Sequence, residues 1–179
     1  MPATFVRNQA KRIMSVSFIN FNSFGQEELC HFIAQRCYEH MHQSLSHLQV
    51  HYLHENCLHE SGTSDAALPF LFLQFKDECE QLILLEEQLI LPYFNKTIYA
   101  QKRYRENTAL NPKLLSRKHR ELQERYTNMK NDTLQKIRFK EDTQYQILRY
   151  DLQVTATQLK DWHDLINILF QKDTLKETL

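Results

Sequence analysis

Apolar residues recur along this chain at steps of three and four, the spacing that paints a stripe on one side of an α-helix. The first stripe joins Leu29, Ile33, Cys37, Met41, Leu45, Leu48 and Tyr52 and predicts a long helix from about Gln26. The run ESGTSD, Glu60 to Asp65, breaks it with Gly62 and small polar residues. A second helix begins near Asp65 or Ala66 and enters LLEEQLILPYF, Leu84 to Phe94, the most apolar part of the chain. Pro92 lacks a backbone donor and is expected to kink or end it.

The polar connection QKRYRENTALNP leads to Asn111-Pro112, a predicted N-cap followed by proline at the first helical position. A third stripe then runs through Leu115, His119, Leu122, Tyr126 and Met129. After a charged join near RFKED, a fourth carries Leu148, Leu152, Thr155, Leu159, Trp162, Ile166 and Leu169. Four long segments with narrow stripes predict an all-α fold, an antiparallel four-helix bundle. Residues 1–25 read as a weakly ordered lead-in, 26–172 as the bundle and 173–179 as a tail.

Composition narrows the functions such a bundle can have. Lys plus Arg and Asp plus Glu each number 22, so the chain lacks the cationic excess that a nucleic-acid or anionic-membrane partner requires. Lys102, Arg103 and Arg105 are the one tight basic group and read as a solvated helix end. Gly25 and Gly62 are the only glycines, too few for a phosphate-cradling or dinucleotide-binding turn. Cys30, Cys37, Cys57 and Cys79 show no C-x-x-C pairing. They read as reduced, mostly buried thiols of a cytoplasmic protein, with neither a signal peptide nor a membrane span.

The candidate chemistry lies in polar groups placed on the apolar stripes. Glu86 follows Leu82 by four and Ile83 by three, and precedes Leu89 and Ile90 by three and four, so it faces inward. Glu87 sits to one side. His119 lies between Leu115 and Leu122, and His163 between Leu159 and Ile166. His40 lies near the first stripe, with His42 on the opposite side, while His59, or its rival His54, stands near the break. A single inward histidine is most often a core residue bonded to a backbone carbonyl. Several, with a carboxylate, on facing helices match the way bundles build metal sites, and that donor mixture suits iron, zinc or manganese. No nucleophile and base stand out together, so turnover is not expected.

LEEQLILPYF resembles the second-helix signature of hemerythrin-like (HHE) domains, roughly H-x-x-x-E-E-x-x-L-F-P followed by an aromatic, with Glu86, Glu87, Pro92 and Tyr93 in register and Leu91 in place of the phenylalanine. SRKHRELQERY and DWHDLINILFQK are similar to that family's third- and fourth-helix motifs. The layout is closest to the iron–sulfur cluster repair branch, over about residues 26 to 172, without that branch's small cysteine-bearing N-terminal domain. The resemblance implies a hemerythrin-like bundle holding one or two non-haem iron ions. His40, His59, Glu86, His119 and His163 would be ligands, and dioxygen or nitric oxide the small ligand. Iron–sulfur proteins enter as partners, with a role in cluster repair or the oxygen and nitric oxide stress response. Leu82 stands where the family motif has a histidine, and Asn167 where it has the second bridging carboxylate. The alternative reading is therefore a metal-free paralogue that kept the fold and acts as a binding or regulatory scaffold.

Overall fold

A computed structural model of the chain describes residues 19–54, 67–95 and 111–174. The described residues are all-helical, with four long helices and no strand. The first, α1, is continuous from Gln26–Phe32 through a π-helical segment Ile33–Tyr38, then Glu39–Gln49, to a second π-helical segment Val50–His54. The second, α2, comprises Ala67–Leu85, a π-helical segment Glu86–Ile90 and a last turn Leu91–Phe94. The third, α3, is Pro112–Lys136 and the fourth, α4, is Thr143–Thr174. The fourth runs two residues into the stretch read from the sequence as a tail.

Local chemistry sets the ends. Gly25 N–H donates to Glu28 Oε2 at 2.8 Å, closing the entry to α1. Asn111 Oδ1 accepts from Lys113 N at 2.9 Å, with Pro112 placed where a missing N–H costs nothing. At the join of α3 and α4, Arg149 Nη2 donates to the carbonyls of Ile137, at 2.5 Å, and Lys140, at 2.9 Å, satisfying acceptors the helix end leaves open. Ahead of α1, Phe21 is buried and packs with Phe24 and Phe32 at centroid distances of 5.2 and 5.0 Å.

Pro92 stands two residues before α2 ends at Phe94. The preceding turn is wound more loosely, so that Leu91 N–H reaches back five residues to the Glu86 carbonyl, and the helix continues one turn to Asn95. Loosening before a proline relieves the clash between its ring and the carbonyl four residues earlier.

All four stripes face one core. Every stripe residue on α1, from Leu29 to Tyr52, is buried, as are Leu115, Leu122, Tyr126 and Met129 on α3 and all seven on α4. Each full burial of such a side chain contributes ~1.5–3 kcal/mol, so the stripes outweigh any single cap. Cross-helix pairs show how the helices align. On α1 and α4, His51 meets Asp151 while Lys172 reaches the Phe24 carbonyl, so the two run in opposite senses. Tyr52 stacks on Phe72 at 4.8 Å and Tyr38 meets Glu86, giving the same opposition for α1 and α2. Among the described residues, no helix is long and apolar enough to cross a membrane.

Asn111→Ala removes the cap of α3 and is expected to lower stability by ~1 kcal/mol, read as a lower urea midpoint with an unchanged slope.

Candidate functional site

Glu86 opens the π-helical segment of α2 and its side chain is 0% exposed. A bare carboxylate there would cost several kcal/mol, roughly, in lost hydration. Three side chains from the three other helices prevent that. Tyr38 of α1 donates its hydroxyl to Oε2 at 2.8 Å. Trp162 of α4 donates its indole Nε1–H to the same oxygen at 2.7 Å. His119 of α3, 2% exposed, places Nε2 2.7 Å from Oε1. Ionised glutamate is acceptor-only, so the Tyr38 and Trp162 donors fit the carboxylate form, with His119 a third donor in the tautomer that carries its proton on Nε2.

The rings around the carboxylate lock one another. Trp162 meets Tyr38 edge-on at 6.0 Å and His119 edge-on at 4.8 Å. His119 lies parallel to His163 at 5.2 Å, and His163 Nε2 is 3.0 Å from Ser116 Oγ. Burial, and then the charge of Glu86, push the Tyr38 hydroxyl well above its ordinary value and keep it a phenol. Burial also raises the neighbouring Cys37 thiol, reinforced by Glu86. Burial and then His119 lower His163 from its ordinary 6.5.

Of the residues singled out in the sequence, the fold thus gathers Glu86, His119 and His163. His40 is exposed; at its level of α1 the core-facing position belongs to Met41. His59 lies outside the described residues, as do the side chain of His54, Cys57, the break at Glu60 to Asp65 and the basic group at 102–105. Leu82 is buried among the apolar side chains of the core. Cys30, Cys37 and Cys79 are free and buried.

Tyr38 and Trp162 were not anticipated as partners of Glu86, although both stand on facing helices. Their signal in the sequence was a phenol and an indole at the depth of an inward carboxylate. A second polar level, also unanticipated, lies further along α1. There His51 Nε2 is 3.1 Å from Asp151 Oδ2, with His47 Nδ1 at 3.9 Å, and the hydroxyls of Tyr52 and Thr133 are 2.6 Å apart. Tyr126 donates to the Leu152 carbonyl at 2.6 Å.

What the arrangement can hold follows from its lone pairs. Trp162 offers an N–H and no lone pair in the ring plane, Leu82 offers nothing, and the phenol is spent as a donor. Among the described residues, no group of three or more His, Cys, Asp or Glu side chains is placed to hold a metal ion. The donors around Glu86 fit a hydrogen-bonded carboxylate and do not fit a pair of iron ions. Comparison of the chain with models of known families, with characterised proteins and with solved structures finds no match.

Glu86→Leu, of similar volume, removes the acceptor of the Tyr38 hydroxyl and the Trp162 indole N–H and leaves both unsatisfied, at a cost of ~1–3 kcal/mol per group. Chemical denaturation should show the loss, and an unchanged midpoint would contradict the network. The lowered His163 value gives a pH signature. Below pH 6.5 the unfolded chain takes up a proton that the folded chain resists. The stabilisation is therefore complete above the unfolded value and is lost as pH falls from it towards the folded one. His163→Gln should flatten that part of the stability curve, measured as the difference between variant and parent across pH 5 to 7 or so.

Proposed function

We propose that the chain is a hemerythrin-like antiparallel four-helix bundle that works without metal, as a cytoplasmic binding or regulatory scaffold. Its inner carboxylate has become the knot of a hydrogen-bond network. The observation that carries this reading is the pair of donors on Glu86 Oε2. A metal held by both carboxylate oxygens, or a pair of metals bridged by them, would need that oxygen's lone pairs, and an indole N–H and a phenol O–H take them. The leucine at position 82, packed in the core, agrees with it. Buried free thiols at Cys30, Cys37 and Cys79 suit a reducing compartment.

A second reading keeps the family's chemistry: a non-haem iron protein handling dioxygen or nitric oxide, with a part in iron–sulfur cluster repair or the stress response. One observation favours it: the imidazoles of His119 and His163 lie parallel, His119 is bonded to Glu86, and burial lowers the pKa of His163. The two readings diverge in metal content. Protein purified without oxygen from iron-supplied cells should carry less than roughly a tenth of an equivalent of any transition metal. About one or two irons per chain, with an oxo-bridge absorption band after exposure to air, would overturn the scaffold reading in favour of the second.

A further inference from the structure

The described residues open at Ile19, and Ile19 with Phe21 lines a groove of about 550 Å³ against the stretch of α4 from Gln153 to Ile168. Phe21, Leu165 and Ile168 give the groove apolar lining. Its charged residues are two carboxylates, Asp161 and Asp164, and one ammonium, Lys160. We propose that residues 5–18 of this same chain dock in the groove as a strap. Their apolar side chains cover the apolar lining, and Lys11 and Arg12 pair with Asp161 and Asp164. The strap closes this face of α4 to other partners until it is displaced. This goes beyond the scaffold reading and does not depend on it.

The chemistry of the segment matches the groove. Arg7, Lys11 and Arg12 are its charged side chains, and the chain has no acidic residue before Glu27. Cations and acids balance over the whole sequence, so this stretch is locally cationic where the groove is locally anionic. Ile13, Met14, Val16 and Phe18 stand between those cations and Ile19, and burial of such side chains is the main term favouring association.

Reach and attachment point to this groove. At a rise of ~1.5 Å per residue, the stretch of α4 from Gln153 to Ile168 is about 22 Å long. The eight residues from Ile19 back to Lys11 span up to roughly 26 Å when extended, enough to bring the cations to either aspartate. Covalent attachment at the rim gives the segment an effective concentration on the order of millimolar, so contacts too weak to hold a free peptide suffice. A second groove with two carboxylates, Glu39 and Glu87, lies beside Tyr38. None of residues 19–24 lines it, so nothing tethers the segment there.

The test is photo-crosslinking in the full chain, with p-benzoylphenylalanine placed at Ile13 and the crosslinks mapped by mass spectrometry. Within single molecules, the label should attach to the α4 stretch 153–168. Asp161→Lys with Asp164→Lys turns two attractions into repulsions and should lower that yield at least about threefold. Adding Lys11→Glu and Arg12→Glu should restore it, which a loss of folding would not allow. Should the aspartate variant not fold, Lys11→Glu with Arg12→Glu alone decides, since it leaves α4 untouched and should give the same loss. Crosslinks to the groove beside Tyr38, crosslinks only between molecules, or a yield that charge reversal leaves unchanged would each overturn the proposal.

Discussion

A single carboxylate placed where water cannot reach it governs the arrangement of the helices. Glu86 on α2 is tolerable only because α1, α3 and α4 each present one hydrogen-bond partner to it. Hydrogen bonds to a charged group are worth ~1.5–3 kcal/mol each, and the desolvation they offset is of similar size. The network therefore adds little net stability compared with the apolar stripes. Its effect is selective: sliding or rotating any helix leaves a buried charge short of partners, whereas the leucines and isoleucines around it would tolerate small shifts.

The backbone is adapted to that contact. Tyr38 closes one π-helical segment and Glu86 opens another, so the two residues that meet across α1 and α2 both sit where the helix is loosened. A π-turn inserts an extra residue and turns the following side chains relative to a regular helix. Loosening is also what carries α2 through Pro92 to its final turn. The second polar level, where His51 meets Asp151 and Tyr52 meets Thr133, lies against the other π-helical segment of α1, Val50–His54. Two of the buried polar residues, His51 and Glu86, thus sit on π-helical segments and meet Asp151 and His119 on regularly wound helices.

Much of this was legible in the sequence. The four stripes, the cap at Asn111 and the inward direction of Glu86, His119 and His163 follow from spacing alone, because burial of large apolar faces dominates the fold. Two kinds of feature escaped. Tyr38 and Trp162 were read for their rings, and Trp162 was counted simply as a stripe residue; a pattern of apolar positions does not register that an aromatic ring carries an N–H or O–H. His40 was placed by regular 100° steps, yet it follows the π-helical segment Ile33–Tyr38, which changes the phase. A clue was present. Leu29, Ile33, Cys37, Met41 and Leu45 follow one another by four without a step of three, and each such step drifts about 40° on a regular helix. All five can face one core only if the helix is locally unwound. Leu82, Glu86, Ile90 and Phe94 repeat the pattern on α2.

Trp162 is the only tryptophan in the chain, and its indole nitrogen is bonded to the one carboxylate that the other helices share. The molecule's tryptophan fluorescence therefore originates at the centre of its own network. Emission colour and intensity report directly on whether that junction is closed, without an attached dye and without background from indoles elsewhere.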